Sequence, residues 1–206
     1  DWTVELKQPD GSVFELFYMA VSQGTLHWDL CGNHNVENAV MAIAAARHVG
    51  VPVAVSIEAL TLFVAPKRRM ELKGTVKGIA VYDDFAHHPT AIETTLAGLR
   101  ARVGDAKIWA VLEPRSNTMR MGVHKSAIAD SLHDANEVLL FEPANSGWSL
   151  AAVAEQMPGR AAVFQSVELI VAALVEKASA GDHIVIMSNG GFGGIHQKLL
   201  DALTAH

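Results

Sequence analysis

The chain has a single cysteine, Cys31, in 206 residues. That excludes an internal disulfide framework and suits a reducing compartment. It has no uncharged apolar run long enough to span a bilayer, because Arg47, His48 and Glu58 interrupt the longest candidate. No signal peptide is visible. There is no excess of positive charge. A formal net charge of −6 argues against a general nucleic-acid or membrane-surface binder. Internal repeats and low-complexity segments are absent. The first residue is Asp1 rather than Met, which suggests a piece of a longer protein, although a processed N-terminus would look the same. What the chain has in quantity is apolar side chains, 50% of residues. That is enough for a sizeable core in one large domain, or in one domain plus part of another.

Residues 1–30 read as β. Val4 and Leu6 alternate with polar neighbours, Pro9-Asp10-Gly11 makes a turn, Val13 to Met19 is a second strand, and Leu26 to Leu30 is a candidate third. So few strands cannot bury a core alone, and they read as the edge of a sheet whose remainder is missing. Gly32-Asn33-His34-Asn35-Val36-Glu37-Asn38 leads into an Ala-rich helix from Ala39 to Val49, with Gly50 as its stop. Asn35 is placed as its N-cap and Asn38 in its first turn. An Asn amide carries a donor and an acceptor and can match an adenine edge; otherwise Asn35 only caps and Asn38 only faces water. Ser56 is placed as the cap of a short helix through Phe63. Pro66 and the basic cluster Lys67-Arg68-Arg69 read as a linker, and such arginines either stay solvated or clamp anionic oxygens.

Beyond it, strands and helices alternate. Candidate strands are Gly78–Tyr82, Lys107–Leu112, Glu137–Phe141, Ala161–Phe164 and His183–Met187. Candidate helices are Thr90–Arg102, Val123–His133, Leu150–Gln156, Val167–Ala180 and Ile195–Leu203. This order implies an α/β fold: a Rossmann-like, doubly wound, mostly parallel sheet with right-handed crossovers.

Three loops then follow strand ends, where such sheets bind ligands. The first, Val81-Tyr82-Asp83-Asp84-Phe85-Ala86-His87-His88-Pro89-Thr90, puts two carboxylates and two imidazoles between a buried strand and a helix start. Asp accepts from sugar hydroxyls, and His donates to phosphate or acyl oxygen. Two other readings stand beside this one: Asp84 capping the turn with His87 and His88 solvated, or a metal held by Asp84, His87 and His88. The second loop, Glu113-Pro114-Arg115-Ser116-Asn117-Thr118-Met119-Arg120, suits a substrate carboxylate or holds two solvated arginines. The third, Ser188-Asn189-Gly190-Gly191-Phe192-Gly193-Gly194, offers backbone amides to an anion but does not match the dinucleotide fingerprint.

Three marks together resemble the Mur ligases, ATP-dependent amide-forming enzymes of peptidoglycan synthesis. They are Gly32-x-His34-Asn35-x-x-Asn38 before the Ala-rich helix, Arg68-Arg69-x-Glu71, and Tyr82-Asp83-Asp84-Phe85-Ala86-His87-His88-Pro89. The loops at Glu113–Thr118 and Ser188–Gly191 look like the branch that joins UDP-N-acetylmuramate to the tripeptide L-Ala-γ-D-Glu-meso-diaminopimelate in bacterial cytoplasmic peptidoglycan recycling. The resemblance implies a three-domain parent. Residues 1–67 would be the C-terminal end of its central ATP-binding domain and residues 68–206 its C-terminal domain. It further implies ATP and Mg²⁺, bound mainly by the rest of the parent, and an acyl-phosphate intermediate. His34, Asn35 and Asn38 would lie near adenine, Arg69 near the ribose-phosphate and Asp84 on ribose hydroxyls. His87 would sit near the transferred phosphate. Arg115, Asn117 and Arg120 would hold peptide carboxylates, with Ser188 and Asn189 beside them. Choosing Asp84 over Asp83 and Arg69 over Arg68 rests on motif register. The chain departs from the family pattern by lacking a G-x-x-x-x-G-K-[ST] phosphate loop, so ligation by the chain alone is not expected. The alternatives are a UDP-N-acetylmuramate–L-alanine ligase, a folylpolyglutamate-type ligase, and a non-catalytic nucleotide-binding module.

Overall fold

The computed structural model describes residues 1–114, 125–143 and 149–206. By their contacts these form two compact units, Asp1–Pro66 with Ala97–Gly104, and Lys67–Leu96 with Asp105–His206. No helix among the described residues is long and apolar enough to cross a membrane.

In the first unit, β1 (Trp2–Leu6), β2 (Val13–Tyr18) and β3 (Val21–His27) form an antiparallel sheet in that order. The third strand thus starts five residues earlier than the sequence suggested, and Leu26 is near its end. The β2–β3 turn is made by Met19 and Ala20 at φ 51° and 62°. Two-residue hairpins need this left-handed pair, but Asn-Gly usually supplies it, so the turn carried no signal. Nor do the three strands stand as a bare edge: α1 (Asn33–His48) and α2 (Val53–Thr61) provide partners. Phe14, Leu16 and Leu26 pack with Val36, Ala39 and Ile43.

Helix α1 begins two residues before Asn35. Its N-cap is Gly32 at φ 95°, with no side-chain capping bond. Asn35 is therefore not the cap. Its Nδ2 instead donates back to Cys31 O at 2.7 Å. Ser56 is not a cap either: α2 starts after Pro52, whose ring favours a helix start, and Ser56 is buried within the helix. Gly50 does end α1, in the left-handed region at φ 93°.

In the second unit six strands lie in the order β4-β5-β9-β6-β7-β8. They are β4 (Glu71–Val76), β5 (Ile79–Asp84), β6 (Ile108–Glu113), β7 (Glu137–Phe141), β8 (Ala161–Phe164) and β9 (His183–Ser188). All neighbours pair in parallel except β4, which runs antiparallel to β5 at the edge. The sheet is therefore mostly parallel, as the alternation implied. The edge strand was missed because Lys73 and Gly74 interrupt its apolar pattern and Gly74 sits at a register shift. The connecting helices are α3 (Pro89–Val103), α4 (Lys125–Ser131), α5 (Ala151–Ala154), α6 (Val167–Lys177) and α7 (Ile195–Ala205).

Strands β5, β6 and β9 are buried on both faces, as central parallel strands must be. Val81, Val111, Ile184 and Ile186 share one core with Ile170 and Leu174 of α6 and with Ile195, Leu199 and Leu203 of α7. The last three recur every fourth residue, which turns one stripe of α7 inward. The ends of β5, β9 and β6 finish in Asp83-Asp84, Ser188 and Glu113. The apolar ladder beneath holds these polar groups in fixed register.

Candidate functional site

The carboxyl ends of β5, β9 and β6 gather buried polar groups in the second unit: Asp83, Asp84, Ser188 and Glu113. Strand β5 runs on through both aspartates, so neither lies in an open turn, contrary to the sequence reading. Burial of a carboxylate is costly unless donors reach it. For Asp84, which is 3% exposed, the donors come from both sides. Ala86 N–H donates to Oδ1 at 2.7 Å, Thr95 Oγ1–H donates to Oδ1 at 3.3 Å, and Met70 N–H donates to Oδ2 at 2.8 Å. Among the described residues Oδ1 receives two donors and Oδ2 one, which leaves Oδ2 an acceptor site. Burial pushes the Asp84 carboxyl up from its ordinary value, and the Met70, Ala86 and Thr95 donors and the charge of Arg69 pull against it.

The segment that Asp84 grips is conformationally unusual. Arg68 and Met70 both have positive φ, 62° and 47°, a sparsely populated region for such residues. Three bonds hold it. Arg68 N–H donates to Glu71 Oε2 at 2.9 Å, Phe85 N–H donates to Arg68 O at 2.9 Å, and Met70 N–H reaches Asp84. The two arginines separate as a result. The Arg68 side chain turns into the unit: its Nε lies 3.3 Å from both Asp83 oxygens, its Nη2 donates to Ser188 O at 2.5 Å, and its guanidinium lies 5.2 Å from the Phe85 ring centre. Arg69 is exposed.

His87, beyond the strand end, has Nδ1 at 2.8 Å from Phe85 O, with the Phe85 ring edge-on at 5.2 Å between centroids. A carbonyl only accepts, so Nδ1 carries the hydrogen and Nε2 is left for a ligand. His88 is exposed. No group of three or more His, Cys, Asp or Glu side chains that could hold a metal exists among the described residues. A metal on Asp84, His87 and His88 therefore has no geometric basis.

Ser188 is 1% exposed, and its hydroxyl donates to Glu113 Oε2 at 2.5 Å. Its Oγ also accepts Gly190 N–H at 2.9 Å, so the side chain that the sequence reading placed beside a peptide is bonded within its own unit. Asn189, beside it, is half-buried. Arg115, Asn117 and Arg120 lie outside the described residues. Sequence reasoning also missed His196 of α7, whose Nε2 lies 3.3 Å from Asp83 Oδ1 but out of line for a hydrogen bond. Burial pushes its imidazolium down, with the Asp83 charge opposing. Nothing in the sequence around His196 marks it, but the inward role of Arg68 has a signal: a Glu three residues on, positioned to accept its backbone N–H.

In the first unit, His34, Asn35 and Asn38 fall on the first turns of α1, where i, i+3 and i, i+4 spacing puts them on neighbouring positions. His34 packs over Gly32, where a Cβ would lie 2.7 Å from the ring. Asn38 is exposed, while Asn35 has already given one amide hydrogen to Cys31.

Comparison with known proteins agrees with this picture. The UDP-N-acetylmuramate–L-alanyl-gamma-D-glutamyl-meso-2,6-diaminoheptandioate ligase of Escherichia coli K12 is 51% identical over 203 residues, which is 98% of this chain and 44% of that protein. A crystal structure of a murein peptide ligase from Psychrobacter arcticus 273-4 matches with a TM-score of 0.73 at 46% identity, over 100% of this chain and 45% of that one. A solved domain from a related Haemophilus ducreyi protein matches with a TM-score of 0.58 at 47% identity, over 66% of this chain and 99% of the domain. The chain thus spans less than half the length of the curated relative it matches. Residues 68–190 match the family described as Mur ligase, glutamate ligase domain. With its parallel sheet, its strand-end carboxylates and that match, the chain belongs to the Mur ligase family.

Proposed function

We propose that the chain is the C-terminal part of an ATP-dependent ligase of bacterial cell-wall recycling in the cytoplasm. The enzyme joins the muramoyl carboxylate of UDP-N-acetylmuramate to the amine of L-Ala-γ-D-Glu-meso-diaminopimelate. Residues 1–67 are then the end of the central ATP-binding domain and residues 68–206 the C-terminal domain. The remainder of the parent supplies the phosphate loop, the sugar-nucleotide site and most of the Mg²⁺ and ATP contacts. The observation that carries this reading is the division of labour between the paired arginines. Arg68 is used up in the fold, whereas Arg69, between two residues of positive φ, is exposed and near enough for its charge to act on Asp84.

In this reading Arg69 meets the ribose-phosphate region and Asp84 Oδ2 takes a ribose hydroxyl in its remaining acceptor site. Asn38 and His34 are offered to the adenine. His87 Nε2 faces the transferred phosphate or the acyl phosphate. Mg²⁺, when bound, neutralises phosphate charge. The chain's own part is to orient these groups and stabilise charge, which is where such chemistry gains most of its rate. Asn189, with Arg115, Asn117 and Arg120, takes the carboxylates of the incoming peptide.

An amine-donor panel tests this. Full-length enzyme with ATP, Mg²⁺ and UDP-N-acetylmuramate should release phosphate with the tripeptide, and far more slowly with L-alanine or glutamate. Phosphate release that prefers L-alanine would move the protein to the neighbouring branch of the family. Release with no donor preference would refute the ligase reading.

A further inference from the structure

Buried between the ends of β6 and β9 are a carboxyl group and a hydroxyl that the proposed chemistry does not use directly. Glu113 and Ser188 are register partners at the ends of these strands, 7% and 1% exposed. The Ser188 hydroxyl gives its hydrogen to Glu113 Oε2 at 2.5 Å, a short O–H···O bond. With its hydrogen committed, the same oxygen can only accept on its other side, and there it takes Gly190 N–H at 2.9 Å. Arg68 Nη2 fixes the Ser188 carbonyl. Carbonyl, hydroxyl and the amide two residues on are therefore all tied from within the unit. The side chain of Asn189, lying between those ties, is half-buried and has surface to offer.

A buried carboxylate is a poor device for stability alone, since apolar side chains of similar volume often serve as well or better. What it does well is fix direction, because it sets which way a hydroxyl points and so which amide that hydroxyl can receive. We propose that Glu113 is a positioning residue. Acting through Ser188, it holds the Ser188–Gly191 turn so that Asn189 meets a carboxylate of the amine-donor peptide. This rests on the ligase reading above, and it assigns a role to Glu113 and a new, indirect one to Ser188.

The test is steady-state kinetics of the full-length enzyme, with tripeptide and ATP varied in turn. Ser188→Ala should raise the tripeptide KM by about tenfold or more, in line with the cost of small misplacements in a binding site. The ATP KM should stay within about twofold, since the Ser188 hydroxyl that the substitution removes bonds to Glu113 and to Gly190 of the turn. Glu113→Gln keeps an acceptor for the hydroxyl and should fall between wild type and Ser188→Ala. Asn189→Ala, at the half-exposed position, should give the same tripeptide defect even if the buried variants fold poorly. An unchanged tripeptide KM in Glu113→Gln and Asn189→Ala, or losses shared equally between ATP and tripeptide, would overturn the proposal. Wild-type enzyme without tripeptide-dependent turnover would instead overturn the ligase reading and take this role with it.

Discussion

Asp84→Asn should lower the melting temperature of the second unit by about 4–8 °C, the shift expected for about 2 kcal/mol in a domain of this size. The substitution keeps the shape of the side chain but replaces one of its two acceptor oxygens with an NH₂ group. That group then faces either Met70 N–H or Ala86 N–H, each now bonded at under 3 Å. A buried donor left facing another donor loses its bond and still bears its desolvation. The loss should depend on pH, with a sign set by burial. The folded Asp84 carboxyl is raised above its ordinary value of 3.8, so the folded state holds this proton more tightly than the unfolded state does. The stability this group contributes is therefore fully present below that ordinary value and is lost as pH rises through the folded value. Asn does not titrate, so the gap between wild type and variant should narrow across that window. Denaturant melts of both proteins at several pH values, followed with a probe in the second unit, would measure it. A gap that widens with rising pH would mean that the donors, not burial, dominate Asp84.

The second large effect belongs to His87. Its removal should reduce kcat of the full-length ligase by about a hundredfold or more, the usual cost of losing a group aimed at developing charge. Stability should hardly change, because among the described residues the side chain makes one hydrogen bond, to Phe85 O, near the surface. Two features make the position suited to this role. The carbonyl of Phe85 fixes the ring through Nδ1, so Nε2 is aimed without freedom to flip. The Phe85 ring it leans against is in turn covered by the Arg68 guanidinium. Arg68 is thus connected both to the imidazole and, through Ser188 O, to the glycine-rich turn. His87→Ala with undiminished kcat would remove His87 from the chemistry.

Much of the architecture is readable from side-chain order alone, and the reasons for the failures are local. Parallel strands such as the buried Glu137–Phe141 and the half-buried edge strand Ala161–Phe164 stand out as short apolar runs between turns, and the structure has them with those same bounds. Strand β4 was hidden because an antiparallel edge tolerates Lys73 and Gly74. The caps at Asn35 and Ser56 were misread because a backbone solution was available at each helix start: Gly32 in a left-handed conformation, and Pro52. At the site, residue type showed that carboxylates, imidazoles and arginines meet at strand ends. It did not show which of two adjacent identical residues turns inward. Arg68 and Arg69 are the same residue type on different backbone, and Asp84 differs from an open ligand group in its burial and in the donors of Met70, Ala86 and Thr95. The Met70 bond is a tertiary fact, fixed 14 positions away, whereas the Ala86 bond is a local one two residues on.

The most direct measurement is a crystal structure of the full-length ligase with a non-hydrolysable ATP analogue bound. The expected result is a ribose hydroxyl within hydrogen-bond distance of Asp84 Oδ2 and the Arg69 guanidinium on the ribose-phosphate side, with the Met70 and Ala86 bonds to Asp84 kept. A nucleotide seated away from both residues, with Asp84 still closed in by its own chain, would contradict it.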